Sequence, residues 1–334
     1  MIHKPAVTIY DVADQAAVSI STVSRYLNNP DKVNGETGAR IKAAIDALAY
    51  IRHGNAGTKQ SRQTGRIGIL VPFFPAPSFV ERMQGITPVL HAANCELLVY
   101  SIDLPQQLDN YLRNGAFSKR LDGIIVMAMS LDEANARLLH RSGMQVVMVE
   151  QHNPLFCSIE CDNVHGGALA AEYLLSKGYA PCAYIGQKVA LPYSLQPSEL
   201  RVKGFQDALK AAGQPLRPEF ALFGEVSVEG GYQLALDLLR RKNRPRSVFA
   251  MSDIQAIGVI KAARALQLRV PEDLAIIGFD DIEAADFMEL TTINQSLKES
   301  GRLAAELLLG RIREMDRPLQ NIQLRVSVVE RTSA

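Results

Sequence analysis

No stretch of this 334-residue chain reaches the ~20 uncharged apolar residues that a membrane-spanning helix requires. The opening Met1-Ile2-His3-Lys4-Pro5 lacks the apolar core of a signal peptide, so a cytoplasmic protein with no membrane partner is expected. Cysteine is scarce and scattered, at Cys95, Cys157, Cys161 and Cys182. In a reducing compartment these read as small buried hydrophobes. Cys157 and Cys161, near His152 and His165, have a spacing that suits two metal ligands, but no second pair has structural-zinc spacing, and no metal is expected. Catalytic patterns are missing too: there is no nucleophile elbow, no Walker A loop, no Ser/His/Asp order and no dinucleotide glycine fingerprint. Neither an enzyme nor a bound cofactor is expected.

The chain also lacks net charge, at +1, but the charge is unevenly placed. Residues 1–66 hold nine Lys/Arg against five Asp/Glu, a net of +4, and the remainder holds 27 against 30, a net of −3. A basic head on a mildly acidic body suits a protein that docks a polyanion at one end. Between Ile51 and Ile67 there is no Leu, Ile, Val, Met or aromatic residue. Residues 52–66 carry four basic groups, three glycines and no acid, so the segment has nothing to bury. It reads either as a solvated tether or as a basic arm that tracks phosphates.

What is present begins at Thr8. Residues 8–29 read as two short helices joined by a tight turn. Thr8 can cap the first, and Asp11 three residues later completes a capping-box pattern. Val12, Ala13 and Ala16 give that helix one small apolar face. After a turn at Ala17-Val18, Ser19 can cap a second helix whose Val23 and Leu27 point inward. Ile20, Ser21, Thr22, Ser24, Arg25 and Asn28 are left facing outward. Hydroxyls, an amide and one arginine on an exposed helix suit phosphate oxygens and base edges in a DNA major groove.

With Val18-Ser19, Thr22-Val23-Ser24-Arg25 and Leu27-Asn28, the segment resembles the headpiece of the lactose/galactose-repressor family of bacterial transcription regulators. Residues 33–50 extend the likeness as a third headpiece helix, with Asn34 as N-cap. Ala17 stands where the family usually has glycine in the turn; if that position has positive φ, alanine costs about 1 kcal/mol. The resemblance assigns Arg25 to guanine, Ile20 and Ser21 to neighbouring bases, and Thr8, Ser19, Thr22, Ser24, Asn28 and Lys32 to the remaining DNA contacts, mainly phosphates. It puts the hinge-helix proline of the family at Arg52 and its minor-groove leucine at Lys59. Both signals are missing, so Lys59 is expected to contact phosphate instead.

From Arg66 onward, apolar strand-like runs alternate with amphipathic helices, which argues for parallel sheets covered on both faces. Strands are expected at 67–71, 97–102, 123–127, 146–149, 183–185, 248–251, 275–278 and 326–330, and helices at 79–93, 166–177, 199–212, 229–240 and 253–266. The resemblance continues through Ile67-Gly68-Ile69-Leu70-Val71-Pro72, Asp162-Asn163, Gly166-Gly167, Gly204-Phe205, Gly278-Phe279-Asp280-Asp281 and Glu306-Leu307-Leu308. It implies an α/β chain: a helix-turn-helix headpiece (1–50), a linker (51–65) and a two-lobed, doubly wound, periplasmic-binding-protein-like domain (66–334). The N-lobe would comprise about 66–162 plus 295–322, and the C-lobe about 163–293 plus 323–334.

Ligands in such folds bind beyond the carboxyl ends of the strands. By the resemblance, Ser78, Phe79, Glu150, Tyr193, Ser194, Arg201, Ser252, Asp280 and Gln295 form that site. A guanidinium facing carboxylates and hydroxyls suits the vicinal hydroxyls of a sugar. Plainer roles stay open: Arg201 as an interlobe salt bridge, Asp280 with Asp281 as a helix cap, Glu150 as a surface charge. The aromatic wall of the family falls on Val226, leaving Phe73, Phe74, Phe79 or Tyr193 as stacking faces. The expected function is a homodimeric repressor of a pseudo-palindromic double-stranded DNA operator, controlled by a small effector, in first place a sugar. A nucleobase or protein co-effector, or a solute-binding protein of the same fold, are the alternatives.

Overall fold

The structure is a computed structural model that describes residues 7–48, 50, 64–72, 74–102, 104–113, 117, 120–188 and 197–334. The chain divides into an N-terminal unit and a larger body. In the N-terminal unit, α1 (Ile9–Gln15), α2 (Ile20–Asn28) and α3 (Gly35–Leu48) enclose a small core. Val12, Val23 and Ile41 are fully buried in it, with Ala13, Ala16, Ala44 and Tyr50 beside them. The capping box at Thr8 and Asp11 is formed in both directions, and Ser19 Oγ accepts from the Thr22 amide at 3.2 Å. The third helix starts at Gly35 because the Asn34 side chain accepts from the Glu36 amide at 3.0 Å. Ala17 is held at φ +49°, in the region that favours glycine. Arg40 of α3 donates to the carbonyls of Ala16 and Ala17 that close α1, the latter at 2.9 Å. A cation at a helix C-terminus is favourable and fastens this strained turn.

The body holds two six-stranded sheets. Sheet one comprises β1 (Arg66–Val71), β2 (Glu96–Ser101), β3 (Gly123–Met127), β4 (Gln145–Val149), β5 (Cys157–Cys161) and the late β11 (Asn321–Leu324), all paired in parallel in the order β11-β5-β4-β3-β1-β2. Sheet two comprises β6 (Cys182–Gln187), β7 (Ala221–Gly224), β8 (Ser247–Ala250), β9 (Ala275–Asp280), β10 (Thr291–Asn294) and β12 (Ser327–Val329) in the order β12-β10-β9-β8-β6-β7. Only the β10–β12 pair in that sheet is antiparallel. Both sheets therefore reverse strand order beside their first strand, the place where open α/β sheets present a crevice. The chain passes between sheets after β5, after β10 and between β11 and β12.

Four strands escape the sequence reading: β5, β7, β10 and β11. Each is four or five residues long, and β5 and β11 mix polar with apolar side chains, so no continuous apolar run announces them. Helix α4 (Pro77–Ala92) begins earlier than expected, with Pro77 in its first turn. The other helices used below are α5 (Pro105–Arg113), α6 (Glu133–Arg141), α7 (Asn163–Ser176), α8 (Pro197–Ala211), α9 (Val228–Leu239), α10 (Asp253–Ala265), α11 (Glu283–Phe287) and α12 (Leu297–Arg313).

Three helix pairs interlock through reciprocal glycines. A Cβ on Gly85 of α4 would lie 1.9 Å from the Lys298 carbonyl of α12, and one on Gly301 would lie 2.1 Å from the Arg82 carbonyl of α4. Gly167 and Gly204 lock α7 to α8 in the same way, and Gly231 and Gly258 lock α9 to α10. Backbones this close fix the helix N-termini, and with them Arg82, Arg201 and Ser252, relative to the strand ends.

Candidate functional site

The first candidate surface is the outer face of α2. Ile20 is 40% exposed, and Ser21 and Arg25 stand in solvent, while Thr22 and Ser24 are half-buried. Ser19, Ser21 and Thr22 form a hydroxyl cluster, with Ser19 Oγ 2.8 Å from Ser21 Oγ and 2.7 Å from Thr22 Oγ1. The Thr8 hydroxyl is spent on Asp11 at 2.7 Å. Those bonds to Thr8 and backbone amides hold the Asp11 carboxyl below its usual range. Lys32 is exposed in a short 3-10 turn at Pro30–Lys32. Among the described residues no carboxylate pairs with Arg25 or Lys32 within 4 Å, so both cations are free for an anionic partner. Lys59 and the Asn28 side chain lie outside the described residues. Tyr10, 62% exposed on α1, is an aromatic that the sequence reading did not assign.

The second site is a cavity of about 730 Å³ in the body, lined from both sheets. Pro72, Ala128 and Glu150 border it at the ends of β1, β3 and β4, and Gln187, Met251 and Asp280 do so at the ends of β6, β8 and β9. Of the nine residues expected here, Ser78, Phe79, Glu150, Arg201, Ser252, Asp280 and Gln295 line it. Tyr193 and Ser194 lie outside the described residues, as does Phe73. Ser78 and Phe79 sit inside the first turn of α4 and not in a loop, because Pro77 starts the helix there. Phe74 is 41% exposed and away from the lining, and Val226 contributes only an aliphatic wall. Phe79 is the candidate stacking ring that the cavity receives, and it also packs into the core of sheet one.

A buried polar network runs beneath the cavity. Arg82 Nη2 donates to Glu150 Oε1 and, at 3.2 Å, to Gln295 Oε1. Gln295 Nε2 donates to Asp280 Oδ1, and Arg201 Nη1 lies 3.6 Å from the same oxygen. Arg201 is fixed from three more sides: Nε donates to Asn163 Oδ1 at 2.8 Å, Nη1 donates to the Met251 carbonyl, and the guanidinium lies 3.5 Å over the Phe279 ring. The network thus joins a guanidinium–carboxylate pair under sheet one to another under sheet two, through an amide on the connection between them.

Burial raises the Asp280 carboxyl to about 6, and the positive charges of Arg201 and Arg82 only partly oppose that. Its neighbour Asp253 is also pushed up by burial and by the Asp280 charge. Asp253 is not among the cavity-lining residues: it accepts from the Ile282 amide at 3.0 Å and from the Thr292 hydroxyl, tying α10 to the start of α11 and to β10. Ser252 caps α10 by accepting from the Gln255 amide at 3.3 Å, which leaves its hydroxyl proton free to donate. The backbone is strained in the same neighbourhood: Ala128, Glu150, Asp280, Asp281 and Ser296 all have φ between +48° and +123°.

Sequence reasoning missed Arg82, Asn163 and Cys161 in this network. Arg82 sits in α4 between Glu81 and Met83, where nothing in the pattern separates it from a solvent-facing cation. Cys161 donates to Gln295 Oε1 at 3.2 Å, and burial pushes its thiol up to about 11, which leaves it unreactive.

The descriptions "Bacterial regulatory proteins, lacI family" and "Periplasmic binding protein-like domain" match residues 8–53 and 171–334. The ribose operon repressor of Escherichia coli (strain K12) is 31% identical over 98% of this chain and 99% of its own length. The HTH-type transcriptional repressor PurR of Photorhabdus laumondii is 34% identical over 98% of this chain and 96% of its own. A LacI family regulator from Enterococcus faecium, solved with bound ribose, superposes at a TM-score of 0.70 and 28% identity, covering 80% of this chain and 98% of that one. The CelR–cellobiose complex reaches 0.72 at 24% identity, covering 98% of this chain and all of that one, a likeness of fold alone.

Proposed function

The chain belongs to the lacI family of bacterial regulatory proteins, and on that premise we propose how this ligand-controlled, DNA-binding repressor divides its work between its two sites. As a homodimer it reads a pseudo-palindromic operator, each protomer placing α2 in the major groove. Arg25 is long enough to reach guanine O6 and N7, with Ile20 and Ser21 on the adjoining bases. Ser24, Asn28 and Lys32 hold phosphates. Ser19 and Thr22, whose hydroxyls bond each other at the start of the helix, hold phosphates there as well.

The effector is a sugar bound in the cavity. The observation that carries this reading is the placement of donors and acceptors on both walls: Glu150 after β4, Arg201 on α8 and Asp280 at the end of β9, with Gln295 between them. Vicinal hydroxyls can donate to the carboxylates while accepting from guanidinium and amide, and one ring can span both walls. A ligand that bridges the walls favours one relative placement of the lobes, which is what lets it bias the DNA-binding state. Phe79 and the prolines give the ring faces an apolar surface.

The test is a thermal-shift screen of pentoses, hexoses, disaccharides and nucleobases against wild type and Arg201→Ala. A sugar should raise the wild-type midpoint by several degrees and leave Arg201→Ala unmoved. Stabilisation by a nucleobase alone, or an equal shift in the variant, would reject the sugar assignment or the site.

A further inference from the structure

Arg82 is 2% exposed, yet it is not an ordinary packing residue. It points from α4 toward the end of β4 and the crossover after β10, and its Nη2 alone carries two bonds, to Glu150 and to Gln295. Nε donates to Ser300 Oγ of α12 at 3.2 Å. Nη1 is buried and has no partner among the described residues. A guanidinium held only to stitch helices together would be expected to spend all five donors on the fold. Here Nη2 converges on two cavity-lining residues, Glu150 and Gln295, and Gln295 in turn bonds Asp280.

The amide of Gln295 is the pivot. It can stand with its oxygen or its nitrogen toward Asp280, and the two orientations offer a ligand opposite patterns of donor and acceptor. Arg82 has only donors, so it takes the oxygen, as does the Cys161 thiol at 3.2 Å. The nitrogen is thereby left to Asp280. We infer that Arg82 is a positioning residue of the effector site: it fixes the Gln295 amide with its nitrogen toward Asp280 and holds the Glu150 carboxylate beside it, so that both walls present a set pattern of donors and acceptors before any ligand arrives.

The inference rests on the cavity being the effector site, but its geometric core is testable without a ligand. The side-chain amide of Gln295 in the full-length protein, observed by heteronuclear NMR, should shift as Asp280 titrates, because its nitrogen donates to that carboxylate. In Arg82→Met the Gln295 amide should lose at least half of its pH-dependent shift, and the Asp280 midpoint should rise by about one pH unit as an opposing cation is removed. Arg82→Lys guards against misfolding, since it keeps a cation opposite Glu150. There the midpoint should stay near wild type while the Gln295 shift shrinks, because an ammonium lacks the planar fork that bridges two acceptors. A Gln295 amide that tracks Asp280 as in wild type in both variants would overturn the inference and leave Arg82 as packing. A wild-type protein that shows the amide coupling but binds no sugar in the screen would instead fault the assignment of the effector and not the role of Arg82.

Discussion

At the residue scale the decisive group is Asp280. Its carboxyl lies between two arginines, yet burial outweighs them and raises its folded value to about 6, above the ordinary 3.8. A raised carboxyl favours the protonated form in the folded state. Its contribution to stability is therefore complete below the unfolded value and is lost as pH rises through about 6. Asp280→Asn removes this dependence. The melting temperature of the variant, measured relative to wild type across pH 4 to 7, should move steadily in favour of the variant as pH rises. A gap that is flat, or that moves the other way, would mean the pair with Arg201 dominates after all. Single residues were also where the sequence was least legible. Arg201, Asp280 and Gln295 could be placed because they follow strand ends or recognisable motifs. Arg82 lies at position six of a helix and shows its role only through which residue it faces.

At the scale of elements, legibility followed hydrophobic run length. The central strands, buried on both faces, announced themselves as apolar runs rich in Val, Ile and Leu. The edge strand β11, with alternate residues exposed, did not. The headpiece helices were readable from their caps, which are chemical rather than statistical signals: Thr8 with Asp11, Ser19 and Asn34 each bond where their side chains predict. The turn between α1 and α2 carries a cost the sequence hinted at, since Ala17 sits at φ +49°. Ala17→Gly should stabilise the headpiece by about 1 kcal/mol, read as a higher midpoint in chemical denaturation. No gain would mean that Arg40, which bonds the adjoining carbonyls, has already relieved the strain. The glycine locks predict the opposite sign. A Cβ on Gly204 would sit 1.8 Å from the Val164 carbonyl, so Gly204→Ala should force α7 and α8 apart and cost roughly 1–3 kcal/mol.

At the scale of the whole molecule, the body places charged and polar groups of two similar sheets around one cavity, and the headpiece offers the exposed face of α2 with Arg25, followed by Lys32 in the next turn. The sequence conveyed this division through its charge asymmetry and the order of its motifs. It could not convey the network, because Glu150, Arg201, Asp280 and Gln295 are far apart in the chain and meet only when two doubly wound sheets present their switch points to one space. On the proposed function, occupancy of that cavity governs operator affinity. The most direct test is operator binding at fixed salt, measured with and without the sugar that most stabilises the protein, for wild type and for Arg201→Ala. Wild-type affinity should change roughly 5- to 150-fold, as for a coupling of 1–3 kcal/mol, and that of Arg201→Ala not at all, with both binding ligand-free operator alike. A wild-type operator affinity that the sugar leaves unchanged, or a full response in Arg201→Ala, would contradict it.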